Sequence, residues 1–142
     1  MGKRLALFGS GRGSNGEAIY KAIKAGHIEG EIVLIISDRS NVGIVEKGYT
    51  WQIPVYIIDP TVYAQKEEWA QAMLDVLASY AVDGVLLAGY MRILPPTFVQ
   101  AYRGNILNIH PSLLPAFTGL QAQKQALVKG VTYTGCTVHF VD

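Results

Sequence analysis

The sequence predicts an α/β fold built on a doubly wound, mostly parallel sheet. Apolar runs of strand length alternate with segments of helical periodicity along the chain. The runs are apolar at consecutive positions, as strands covered on both faces require. Composition sets the scale: 142 residues, 50% hydrophobic and 16% charged, suffice for one core, so residues 1–142 are expected to form a single domain.

The strands are expected at residues 5–8, 32–36, 53–58, 85–88 and 106–109. Between the first two, residues 15–25 read as a helix closed by Gly26. Residues 63–80 read as a longer helix with Trp69, Met73, Val76, Leu77 and Tyr80 on one face. A further helix starts near Pro96, since proline is tolerated in a first turn, and another spans residues 120–129 before Gly130. Right-handed crossovers between such units place the strands parallel. Residues 133–141 alternate and are expected to add one strand, after which the chain stops without a turn, cap or polar tail.

A formal charge of +1, from 12 basic and 11 acidic residues spread along the chain, offers no basic stripe for nucleic acid or an anionic membrane. Small molecules are therefore the expected partners. The apolar stretch after Met1-Gly2-Lys3-Arg4 is too short for a signal-peptide core, and no run approaches the ~20 residues of a membrane span. Cys136 is the only cysteine, which rules out an internal disulfide and is compatible with the cytoplasm. It reads as a small core filler rather than a nucleophile.

Gly9-Ser10-Gly11-Arg12-Gly13-Ser14-Asn15 follows the first strand and opens the first helix. Backbone amides and the helix dipole converge there on an anion, and a phosphate is the natural occupant. Ser14 or Asn15 can cap the helix while donating to a phosphate oxygen. The alternative is a tight turn that binds nothing. A dinucleotide site is a further rival, because Asp38 ends the second strand where an acid would hold a ribose. Against it, Ser14 stands where a GxGxxG motif needs glycine, and a P-loop lysine is missing.

Asn108-Ile109-His110-Pro111-Ser112-Leu113-Leu114-Pro115 follows the fifth strand, at the carboxyl end of the sheet where α/β proteins place ligands. If the strand continues, the side chains of Asn108 and His110 point to the same side and can address one atom. An amide donor beside an imidazole suits acyl transfer, in which a carbonyl oxygen becomes negative while a proton leaves the attacking amine. Metal binding is the poorer reading, because His27 and His139 lie elsewhere and no close ligand set accompanies His110.

Three segments in order resemble the phosphoribosylglycinamide formyltransferase family, the glycinamide ribonucleotide transformylases of purine synthesis. They are Gly11-Arg12-Gly13-Ser14-Asn15, Gly89-Tyr90-Met91-Arg92-Ile93-Leu94, and Asn108 through Pro115 followed by Gly119-Leu120 and Ala122-Gln123-Lys124-Gln125-Ala126. The resemblance runs the whole length and implies a formyltransferase-like, Rossmann-related fold. It implies that Gly13, Ser14 and Asn15 hold the phosphate of glycinamide ribonucleotide. Lys66, Met91, Arg92, Ile93, Leu94 and Asn108 would take 10-formyltetrahydrofolate as formyl donor, with no metal. Asn108 and His110 would be catalytic, and the protein a cytoplasmic monomer or homodimer. Arg92, in so apolar a setting, needs a partner. Methionyl-tRNA formyltransferases and formyltetrahydrofolate hydrolases share the Asn-x-His core but not this combination of segments.

Against the family pattern, the chain is expected to be incomplete at its C-terminus, since the aspartate that pairs with the histidine lies a few residues beyond Asp142 in the family. An alternative function is therefore a folate- and phosphate-binding fragment impaired in catalysis, and another is a related formyltetrahydrofolate-using enzyme. Gln121 stands where the family usually has histidine. Gly16 replaces a larger apolar residue just inside the first helix, at a cost of up to ~1 kcal/mol of helix propensity.

Overall fold

The computed structural model describes residues 3–109 and 138–140. Five parallel strands, β1 (Arg4–Gly9), β2 (Glu31–Ser37), β3 (Val55–Ile57), β4 (Gly84–Leu87) and β5 (Ile106–Ile109), and one antiparallel strand, β6 (Val138–Phe140), form a single sheet. Their order is β3-β2-β1-β4-β5-β6. The predicted doubly wound, mostly parallel sheet is therefore observed. The expected helix at residues 120–129, and most of the alternating segment 133–141, lie outside the described residues.

Strands β1, β2, β4 and β5 divide their side chains between two cores. Leu5, Leu7, Ile35, Leu86 and Leu107 face α1 (Ser14–Lys24) and α2 (Gly43–Thr50), which contribute Ile19, Ala22, Ile44 and Val45. Ala6, Phe8, Leu34, Ile36, Val85, Leu87 and Ile106 face the opposite side, with Trp69, Ala70, Met73 and Leu77 of α3 (Lys66–Ser79) and Phe98 of α4 (Pro96–Ala101). The period of two within unbroken apolar runs is what a sheet covered on both sides demands. The alternation slips once: Leu5 pairs with Ile32 but Ala6 with Leu34, and this bulge puts Val33 and Leu34 in the same core.

One helix is added to the sequence expectation and two elements change their bounds. Helix α2 was not foreseen, because Gly43, Gly48 and β-branched Ile44 and Val45 are poor helix formers. Packing explains its glycines: a Cβ on Gly43 would overlap the Arg12 carbonyl, and one on Gly48 would overlap Val55. The third strand shrinks from residues 53–58 to three residues, since Pro54 has no amide to donate and Gln52 adopts a positive φ of 60°. It is the outer strand, so Tyr56 and Ile57 are exposed rather than covered on both faces. The long helix begins at Lys66 instead of residue 63. Pro60–Val62 forms a 3-10 turn first, and the Glu68 carboxylate then accepts the Gln65 amide at 3.2 Å.

Gly16 is buried against Leu7 and Ile44, and an added Cβ would stand 2.8 Å from Leu7 Cδ2 and 3.0 Å from Ile44 Cδ1. Whatever helix propensity Gly16 gives up, it allows α1 to sit directly on β1 with both large neighbours in place.

Candidate functional site

The carboxyl ends of β1 and β4 carry the glycine-rich loop and loop 89–94 to one edge of the sheet, where Asn108 of β5 pairs with the last residue of β4. Chain order reverses between β1 and β4, which pair directly while their neighbours β2 and β5 lie on opposite sides. A crevice opens at such a reversal because the following connections diverge to opposite faces.

On one side of the crevice stands the glycine-rich loop. Gly13, not Ser14 or Asn15, is the helix N-cap, with φ 85° and no side-chain cap bond. This corrects the expected capping role: the left-handed backbone requires glycine, and a Cβ there would approach Ile44 Cα to 2.9 Å. The helix ladder starts with the Glu17 amide donating to the Gly13 carbonyl at 2.7 Å, so the amides of Ser14, Asn15 and Gly16 have no acceptor one turn back in the helix. Free amides at the positive end of a helix dipole are the groups with which a helix N-terminus can bind an anion. The Gly11 carbonyl accepts the Ile44 amide at 3.0 Å, tying the loop to α2.

On the other side is the loop 89–94. Met91 is 74% exposed and Ile93 93%, whereas Leu94 is buried in the core shared with α3 and α4. Met91, Arg92 and Ile93 form one wall of a cleft of about 430 Å³, and Pro60, Thr61, Tyr63, Gln65, Lys66 and Trp69 complete it. Large apolar side chains left in solvent beside a concave surface are a feature of ligand sites. The structure thus brings Lys66, Met91, Arg92 and Ile93 together, while Leu94 supports the loop from beneath. A recess of about 630 Å³ lies at the opposite end of the sheet, around Arg4, Glu31 and Gln52. It is larger, but parallel sheets bind ligands at their carboxyl ends, so the chemistry is assigned to the loop edge.

Arg92 has the partner its setting requires. Its Nε donates to Asp38 Oδ2 at 2.7 Å, joining loop 89–94 to the end of β2. The bond to Asp38 raises the guanidinium above its ordinary value, so Arg92 stays charged. The Asp38 side chain is fully buried, and its second oxygen has no partner among the described residues and no access to solvent. Neither oxygen is open to a ribose diol, which removes the acid on which the dinucleotide alternative depended. Beside the pair, Tyr90 packs edge-on against Phe8 with ring centroids 5.2 Å apart. Burial, reinforced by the charge of Asp38, pushes its phenol well above the usual tyrosine range.

Asn108 is half-buried in β5, where it pairs in register with Leu87 of β4 and His139 of β6. Residues on alternate positions share a face, so Asn108 lies on the side of Ile106, towards α3 and α4. His110, the other predicted catalytic residue, lies outside the described residues, as does Gln121. Sequence reasoning missed Ser10, which carries the bonds between the two loops. Its position between two glycines was the only signal.

The sequence profile of the formyl transferase family matches residues 3–142. The chain is 41% identical over 140 residues to the phosphoribosylglycinamide formyltransferase of Bacillus subtilis, covering 99% of this chain and 72% of that protein. It is 44% identical over 138 residues to the human trifunctional purine biosynthetic protein adenosine-3, covering 97% of this chain and 14% of that much longer one. The crystal structure of phosphoribosylglycinamide formyltransferase from Bacillus halodurans superposes with a TM-score of 0.78 at 46% identity, over 99% of this chain and 72% of that one.

Proposed function

Because the chain belongs to the formyl transferase family, we propose that it transfers the formyl group of 10-formyltetrahydrofolate to the amine of glycinamide ribonucleotide, in de novo purine biosynthesis in the cytoplasm. One observation supports this reading above the others: an anion cradle and an apolar-walled cleft flank the same crevice. A phosphorylated acceptor and a pterin-bearing donor are two such ligands.

The acceptor phosphate occupies the amides of Gly13, Ser14 and Asn15, and the donor lies against Met91, Arg92 and Ile93 with Lys66 at the rim. The acceptor nitrogen attacks the formyl carbon. A C–N bond forms, the carbonyl oxygen becomes an oxyanion, and collapse breaks the bond to N10 of the folate. The proton lost by the amine ends on the departing nitrogen. Asn108 donates to the oxyanion, and His110 stabilises charge and moves the proton.

The test is a formyl-transfer assay on the purified chain, following loss of 10-formyltetrahydrofolate with and without glycinamide ribonucleotide. Acceptor-dependent turnover is the expected result. Consumption of donor at the same rate without acceptor would replace the transferase with a hydrolase. Binding of both ligands without turnover would leave the impaired binding fragment.

A further inference from the structure

Two hydrogen bonds cross the crevice between the glycine-rich loop and loop 89–94, and both belong to Ser10. Its amide donates to the Gly89 carbonyl at 3.2 Å, and its Oγ accepts the Met91 amide at 2.8 Å. Ser10 itself is buried, 2% exposed, beneath the exposed Met91. The last ladder bond between the two strands, from the Ala88 amide to the Phe8 carbonyl at 2.9 Å, lies just before it. Ser10 therefore continues the pairing of β1 with β4 past the point where their connections part. By sequence it belongs to the loop that cradles the anion, and by bonding it belongs to the wall of the cleft. Packing runs the same way: the Asn15 side-chain amide lies 3.8 Å from the place a Cβ on Gly89 would occupy.

We infer that Ser10 is a positioning residue that couples the two ligand sites, so that a phosphate ligand ordering the glycine-rich loop also fixes the backbone of Met91 and strengthens binding in the cleft. This rests on the assignment of acceptor and donor made above. The coupling has a direction and a reciprocal: whatever factor the acceptor adds to donor affinity, the donor adds to acceptor affinity. Coupling through ordering needs no displacement of either loop, only that each ligand restrain the same pair of bonds.

Tetrahydrofolate and glycinamide ribonucleotide form a non-reacting pair, since the formyl group is absent, and calorimetric titration of each with and without the other measures the factor. The full chain is expected to bind tetrahydrofolate ~5-fold more tightly when the acceptor is saturating, at the lower end of the usual range. Ser10→Ala is expected to reduce that factor to near one. A residue that merely braced the fold would shift the melting temperature or weaken both ligands and leave the factor intact, and that result overturns the inference. If the unaltered chain binds both ligands independently, the inference fails and the proposed function stands. If it binds neither, both fail. Since Ser10→Ala takes the acceptor from the part-buried Met91 amide and can impair folding, a second measurement uses the unaltered protein. Glycinamide ribonucleotide alone is expected to slow hydrogen exchange of the Met91 amide several-fold, and an unchanged rate overturns the coupling.

Discussion

Asn108→Ala is expected to lower kcat for formyl transfer by ~10²- to 10³-fold, the usual cost of removing one donor to an oxyanion. His110→Ala is expected to abolish acceptor-dependent transfer. Donor affinity should stay within a few-fold in both, because the groups act mainly on charge that develops in the transition state. The main-chain pairing of β5 with β4 does not depend on the Asn108 side chain, so the melting temperature should hold. Steady-state kinetics with folate titrations separate the two quantities. A variant that turns over like the parent would remove that residue from the chemistry, whereas a rise in KM alone would reassign Asn108 to binding.

The second large effect concerns stability and shows an asymmetry. Arg92→Met leaves the buried Asp38 carboxylate without its one partner among the described residues, and the melting temperature is expected to fall by on the order of 10 °C. Asp38→Asn removes charge from the buried side instead. The guanidinium can then turn to water, since the Arg92 side chain is 36% exposed, and a drop of only about 3 °C is expected. Both changes loosen loop 89–94, so KM for the folate should rise in each while kcat changes less. Calorimetry on the two variants checks the order, and equal destabilisation would mean that the pair does not anchor the loop.

The sheet was legible because four of its strands are covered on both faces and announce themselves as unbroken apolar runs. Helix α3 was legible from Trp69, Met73 and Leu77, which recur at helical spacing and are buried. Helix α2 was not, since Gly43 and Gly48 are chosen for close approach rather than for helix formation. Composition records the propensity penalty and hides its cause. At the site, the glycine-rich loop and the segment around Arg92 stood out as motifs, yet their connections did not. Asp38 and Arg92 each raised a question in the sequence, one about a ribose and one about a missing partner. They answer each other across 54 residues, a distance over which no local pattern speaks. Ser10 and Met91 meet across 81 residues in the same way.

The two tryptophans sit at unlike places, and that makes the chain its own optical instrument. Trp51 is stacked on Tyr20 with ring centroids 4.1 Å apart, beside the recess at the far end of the sheet, while Trp69 lines the cleft and donates its indole N–H to the Ile58 carbonyl. A chromophore entering the cleft should quench the emission of the buried Trp69 by energy transfer over a short distance. In a Trp51→Phe chain the remaining signal would come from a single indole, and filling of the cleft could be followed in real time without a label.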